Sequence, residues 1–370
     1  MSDKIFLRST RRIAWLDLAK GIGIMLVVWA HARGPGMTYI YLFHMPMFFM
    51  ISGYLYNAKD SWPRFVWKRI CSLYIPFIFW NVLAHLIRYW TQYLPITWET
   101  TRTWIINTLL TMDKNSRIFG VSWFLGSLFL MAVVYKTLDV LLCWMPLRKW
   151  FFMLLFTVAA CVSFVIPLPF ALNRTLILSM FYAFGVLMKE HKDSWEKILH
   201  PSWGIVLGVV FFCIFVYFGK DHYSNMGKND YSSPAFFVLS SFMMSYVILY
   251  GSYLVDKWIF KIGTLWKDHL VGRIIAGLLR GLEQITLWFG KNSMDMVLWQ
   301  FLCFRVVTII QILRWGNPFW ETLLEHPTTY VTRGIWWFLY FLAGTFLSVL
   351  LGSFLRAGFW GKIFRKLHIV

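Results

Sequence analysis

Apolar positions along this chain come in long runs, and short segments between them collect the charges. A helix that crosses a bilayer needs about 20 mostly apolar residues. Ten stretches meet that demand: 13–32, 38–57, 71–94, 118–137, 150–167, 172–188, 203–219, 233–255, 292–313 and 334–354. The stretch 256–291 breaks the pattern. It carries Lys257, Lys261, Lys267, Arg273 and Arg280, while apolar residues recur at 270, 271, 274, 275, 278, 279 and 282. That spacing predicts an amphipathic helix near 268–289 that lies on the membrane surface rather than crossing it. No repeat of fixed period and no low-complexity linker interrupts the chain. The expectation is an all-α integral membrane protein forming a single domain over 1–370.

Composition narrows the class further. Hydrophobic residues make up 59% of the chain and charged residues 14%, against about 25% charged in soluble domains. That leaves too little polar surface for a soluble body of this length and far too many aromatics for a disordered one. Long apolar runs rather than alternating ones argue against a β-barrel. The net charge of +19 reads first as topology, because Lys and Arg stay in cytoplasmic loops. Segments 1–12, 58–70, 138–149, 189–202, 256–291 and 355–370 hold 23 of the 36 Lys and Arg residues. The bias predicts both termini on the cytoplasmic side, membrane lipid as the surrounding partner, and no nucleic acid. The five cysteines have no CxxC spacing and are expected to be small buried hydrophobes. The N-terminal apolar run, interrupted by Asp17 and Lys20, does not have the form of a cleaved signal.

Ionisable groups inside a span are costly, so they mark candidate chemistry. In the first span these are Asp17, Lys20 and His31. Lys20 and His31 are eleven residues apart, three helical turns, so they share a face at a separation of about 16 Å. Asp17 lies one turn from Lys20 and can pair with it. Gly21 and Gly23 thin this helix, as close packing or a ligand's approach would require. In the second span His44 stands two residues before Pro46, which removes a backbone donor and opens the helix there. A short Gly-Pro-Gly turn keeps His31 and His44 near one membrane face. The pair could be base and orienter or a proton relay. No Cys, Asp or Glu nearby completes a metal site.

The run LDLAKGIGIMLVVWAH followed by YLFHMPMFFMISGYLY resembles the opening of the acyltransferase 3 family, in its fucose 4-O-acetylase-like branch. Lys20 and His31 match the family's basic residue and histidine. Phe43, His44, Pro46, Phe48, Phe49, Ser52 and Gly53 match its F-H-x-P-x-F-F-x-x-S-G pattern. The basic stretch RFVWKRICSLYIPF supplies Arg64, Lys68, Arg69, Tyr74 and Pro76; Trp123, Phe124 and Leu125 match W-F-L; and GKNSMDMVLWQ resembles a late family motif that ends in histidine. Two departures stand out. Gln300 replaces that histidine, and Ser127 stands where many members carry a glutamate; either that carboxylate belongs to another branch of the family, or Asp295 or Glu283 stands in.

The resemblance implies a multi-pass protein of the bacterial cytoplasmic membrane. Its implied reaction moves an acyl group, usually acetyl, from cytoplasmic acyl-CoA to a sugar hydroxyl of a surface glycan or its lipid-linked precursor. Acyl-CoA is then a co-substrate, with no permanently bound cofactor and no metal. Under that reading Asp17, Lys20, His31 and His44 are the catalytic candidates. Arg64, Lys68 and Arg69, with Lys20, suit the phosphates of CoA. Trp123, Tyr74, Asn292 and Ser293 are candidates for the acceptor. A second reading, a transporter or flippase with Asp17, Lys20, His31 and Arg305 as a proton relay, lacks the repeated halves and broken helices such proteins show.

Overall fold

The computed structural model describes residues 13–90, 97–110, 112, 120–169, 171–192, 201–265, 270–316, 319, 323 and 334–368. The basic N-terminal segment 1–12, parts of loops 95–117 and 314–333, and the start of the amphipathic stretch at 268 lie outside the described residues. What is described is helical apart from turns and one two-residue antiparallel pairing, Ser224–Asn225 with Asp230–Tyr231.

The helices follow in chain order as α1 (Ala14–His31), α2 (Met37–Tyr41), α3 (His44–Tyr54), α4 (Trp62–Arg69), α5 (Ile75–Trp90), α6 (Trp98–Ile105), α7 (Trp123–Leu141) and α8 (Arg148–Val165). Next come α9 (Leu172–Glu190), α10 (Pro201–Gly219), α11 (Pro234–Leu265), α12 (Leu270–Lys291), α13 (Ser293–Trp315), α14 (Trp336–Leu342), α15 (Ser348–Arg356) and α16 (Gly358–Lys366). Single π-helical turns, Ile70–Tyr74 and Ala343–Leu347, join α4 to α5 and α14 to α15. Among the described residues eight helical stretches are long and apolar enough to cross a membrane. The protein is therefore an all-α membrane protein.

Several expected boundaries move. The second span, 38–57, is two helices broken at Leu42–Phe43. Pro46 falls in the first turn of α3, where its missing donor costs nothing, so the chain restarts there rather than bending through. The sixth span is α9, but Asn173 and Arg174 at its start and Lys189 and Glu190 at its end lower its hydropathy. The expected loop 58–70 is mostly helix α4, because Arg64 and Lys68 lie one turn apart on an exposed side while Phe65 is buried. Basic residues mark where a helix leaves hydrocarbon, not where it ends. Part of loop 95–117 is helical too: α6 and the π turn Ile106–Leu110 fold back on α5, with Trp104 stacked on His85 at 4.1 Å and the Tyr74 hydroxyl donating to the Leu109 carbonyl at 2.9 Å. At 32 residues, about 48 Å, α11 outruns the hydrocarbon layer and continues past 255, so the amphipathic helix α12 begins only at Leu270. Ile274, Ile275, Leu278, Leu282 and Ile285 of α12 face outward, uncovered by protein.

Glycines set the closest approaches. A Cβ on Gly21 would lie 2.0 Å from the Thr286 carbonyl oxygen, and one on Gly290 would lie 1.8 Å from that of Asp17. This is how α12 docks against α1, and it accounts for Gly21 as a packing residue. Gly53 of α3 and Gly185 of α9 meet the same way: each would place a Cβ 2.0 Å from a carbonyl oxygen of the other helix. The core runs between α1, α3, α7, α9 and α13, with Ile24, Phe49, Leu125, Phe181 and Trp299 at its centre. The cysteines divide. Cys303 is buried, Cys71 half-buried, and Cys143, Cys161 and Cys213 are exposed, all as free thiols. The expectation of burial fails for those three because a helix at the edge of a membrane bundle is apolar on its outward face as well, so apolar neighbours in sequence do not imply a core position.

Candidate active site

The three groups of the first span sit as their spacing requires. Lys20 Nζ donates to Asp17 Oδ1 at 2.6 Å, and the two form an ion pair near the start of α1. His31 is the last residue of α1, at the other end. We refer to these as the basic end and the histidine end.

At the histidine end, the ring of His31 is held from α13. Its Nδ1 lies 3.0 Å from Gln300 Oε1, and Phe301 meets its edge at 5.1 Å. With the amide oxygen facing the ring, the pair is bonded only when Nδ1 carries the hydrogen and donates, and in the neutral imidazole that form puts the lone pair on Nε2. Gln300 is fully buried, and its Nε2 has no partner among the described residues. His44 is close but not bonded to His31. Its Nδ1 donates to the Ile40 carbonyl at 2.8 Å, which caps the break between α2 and α3. Tyr41 stands between the two histidines, 6.0 Å from the ring of His31 and 5.5 Å from that of His44, and its hydroxyl donates to the Ala30 carbonyl at 3.2 Å. The orienting group of His31 is thus Gln300 rather than His44. The residue that looked like a lost histidine occupies a position from which an amide oxygen does the orienting. Sequence spacing could not show this, because 269 residues separate the partners.

Trp123 belongs to this end of the bundle as well. Gly120, just before it, packs against the Phe301 ring, and the guanidinium of buried Arg174 lies 5.1 Å over the Trp123 ring. Tyr74 is engaged elsewhere, stacked on Phe129 at 5.0 Å with its hydroxyl bonded to Leu109. Asn292 and Ser293 lie at the start of α13, seven to eight residues or about 12 Å before Gln300. Asn292 there donates to the Trp288 carbonyl and accepts from Arg356. The structure does not bring Asn292 and Ser293 to His31. Asp295 is clamped by the two terminal guanidinium nitrogens of Arg356 at 2.5 and 2.6 Å. The Ser127 hydroxyl is buried with no partner among the described residues.

The basic end holds the cationic candidates. Lys68 donates to Asp60 at 2.8 Å, and Arg64 lies 3.8 Å from the same carboxylate. The hydrogen bond from Lys68 holds the Asp60 carboxyl below its ordinary pKa. Both cations are largely exposed and share one partner. Arg69 differs: it is half-buried, its guanidinium lies 5.0 Å over the Phe65 ring, and no carboxylate among the described residues pairs with it. Lys136, only 2% exposed, approaches the same ring at 5.8 Å and donates to the Ala58 carbonyl at 3.0 Å. Below them Tyr56 donates to Asp139 at 2.6 Å, and Arg148 pairs with Asp139 at 2.7 Å. Lys136 was visible in the sequence only as one more charge within a span. Its partnership with Arg69 around Phe65 needs the fold. Among the described residues, no three His, Cys, Asp or Glu side chains converge as a metal site.

The family model described as an acyltransferase domain matches residues 13–357, nearly the whole chain. The chain belongs to the acyltransferase domain family. The protein is therefore a membrane acyltransferase, and the transporter reading falls away. This acyltransferase is similar to the nodulation protein NolL of Mesorhizobium japonicum, with 25% identity over 322 residues, covering 80% of this chain and 77% of the relative. A second NolL, from Sinorhizobium fredii, is 30% identical over 147 residues, 35% of this chain and 38% of its own length. No solved structure matches the acyltransferase.

Proposed function

We propose that the protein is an O-acetyltransferase of the bacterial inner membrane. It takes an acetyl group from acetyl-CoA at the basic end and transfers it to a sugar hydroxyl of a surface glycan or its lipid-linked precursor at the histidine end. The observation that carries this reading is His31, oriented through Nδ1 by the Gln300 amide with Nε2 left as the base, on the same helix as the Asp17–Lys20 pair.

A sugar hydroxyl is a poor nucleophile until its proton is removed in the transition state, and a positioned imidazole does this. His31 Nε2 takes the proton as the hydroxyl oxygen attacks the thioester carbonyl. The tetrahedral intermediate then collapses, the carbon–sulfur bond breaks, and the imidazolium returns a proton to the departing thiolate. Arg69 supplies a cation for the CoA phosphates, with Arg64, Lys68 and Lys20 nearer the entrance, while buried Lys136 holds the Ala58 carbonyl beneath them. The distance from Lys20 to His31, about 16 Å, suits a donor whose phosphates stay at one end while an extended thioester arm reaches the other. Trp123, under Arg174, offers an aromatic face for the acceptor.

The test is transfer of labelled acetyl from acetyl-CoA to a panel of saccharide acceptors by purified protein in lipid. Label in an acceptor with the wild type and not with His31→Ala supports the reading. Equal transfer by both removes His31 from the chemistry, and transfer to none of the saccharides removes the sugar acceptor.

A further inference from the structure

One concavity is lined by none of the site residues named above. It is a groove of about 340 Å³ between α1, α3, α9, α10 and α11. Trp15 and Tyr54 close it at the basic end, and Leu239 and Met243 line it toward the other. Its lining is apolar apart from tyrosine hydroxyls and Lys192. Along α11 it runs from Leu239 to Tyr253, fourteen residues or about 21 Å, longer than one leaflet's half, about 15 Å, of a hydrocarbon layer of about 30 Å. Leu207 and Leu239 on its rim are 37% and 54% exposed, so the groove opens sideways to the bilayer. One wall is a ladder of tyrosines: Tyr246 stacks on Tyr250 at 5.3 Å, Tyr250 on Tyr253 at 6.2 Å, and Trp15 meets Tyr253 edge-on at 6.2 Å.

Charge decides the occupant. Lys192 lines the basic end, and the Lys257 ammonium lies 4.2 Å over the face of Tyr253. Lys257 also donates to the Tyr253 hydroxyl. A long hydrocarbon slot that ends at lysines and tyrosine hydroxyls matches a lipid whose chain fills the slot and whose phosphate meets the cations. An acetyl group is far too small for a 21 Å slot. An acceptor anchored here would hold its sugar near Trp15, sixteen residues or about 24 Å along α1 from His31.

We propose that this groove is a binding site for one acyl chain of an anionic glycerophospholipid from the leaflet at the basic end. The lipid braces α10 and α11 against α1 and α9. This does not depend on which acyl group or acceptor the enzyme uses.

The test uses the full chain reconstituted in phosphatidylcholine bilayers containing a minority of phosphatidylglycerol, then released into mild detergent for native mass spectrometry. The expected spectrum shows one retained phospholipid per chain, enriched in phosphatidylglycerol. Lys192→Gln lowers the ratio of retained phosphatidylglycerol to phosphatidylcholine about fivefold, the effect of one lysine near a charged headgroup. Met243→Trp fills the slot and removes both lipids while acyl transfer persists. If that variant fails to fold, Leu239→Trp at the exposed rim serves instead. The proposal is overturned if no phospholipid is retained, if Lys192→Gln leaves the ratio unchanged, or if acetyl-CoA displaces the lipid and so claims the groove for the donor.

Discussion

Replacing Gln300 by alanine removes the amide oxygen that α13 places 3.0 Å from His31 Nδ1. In a neutral pair such a hydrogen bond contributes about 1 kcal/mol net. Without it the imidazole loses that preference for one tautomer and one ring orientation. The ratio of arrangements that present Nε2 to the acceptor to those that do not then falls about fivefold, following the relation between free energy and population. Removing the base itself costs more, about 10²–10⁴ in rate. Gln300→Ala should therefore lower kcat up to about fivefold with little change in KM for acetyl-CoA, since the donor cations lie at the other end. His31→Ala should fall much further. Because Gln300 acts through His31, adding Gln300→Ala to His31→Ala should cost nothing more. Gln300→His, which restores a ring nitrogen able to accept, should recover most of the activity. The assay is steady-state acetyl transfer at matched protein abundance in lipid. A Gln300→Ala enzyme with unchanged kcat, or a double variant whose losses multiply, would refute the orienting role.

Three further outcomes follow from the same geometry. Arg69→Ala should raise KM for acetyl-CoA about tenfold or more, the worth of one charge-assisted bond, and leave kcat nearly unchanged; a change in kcat alone would place it elsewhere in the reaction. Lys20→Ala should weaken acetyl-CoA use more than Lys20→Arg does, whereas equal activity in both variants and the wild type would make the Asp17–Lys20 pair structural only. Gly290→Val should destabilise the protein by about 1–3 kcal/mol or more, because its Cβ would lie 1.8 Å from the Asp17 carbonyl oxygen; an unshifted Tm in a detergent melt would show that α12 does not dock on α1 as described.

Much of the bundle was legible because its determinants are local. A run of apolar residues makes a membrane helix wherever it falls, and Asp17 pairs with Lys20 because one helical turn separates them. The glycines of α1 announced a close approach, although not that α12 would be the partner. What local pattern missed were features set by contacts across the chain. Gln300 could be read only as a departure from a motif until α13 was seen against the end of α1. Lys136 meets Arg69 around Phe65 only because α7 packs beside α4. The break between α2 and α3 was half legible: Pro46 signalled a disturbance, but the restart of the helix at His44 depends on the Ile40 carbonyl accepting from the His44 ring. Exposed Cys143, Cys161 and Cys213 show where soluble intuition fails, since lipid allows the outside of a helix to be as apolar as the inside.

The central claim is that donor and acceptor meet from opposite ends of the bundle, with His31 as the base. The direct test is a proteoliposome in which the orientation has been fixed by thiol labelling of Thr38→Cys and Ser61→Cys in a background free of the five native cysteines. Labelled acetyl-CoA is then supplied only on the side of Ser61, and membrane-impermeant saccharides only on the side of Thr38. Acetylated saccharide on the far side, absent with His31→Ala, is the predicted result. Acetylation only when donor and saccharide share one side would contradict the divided site.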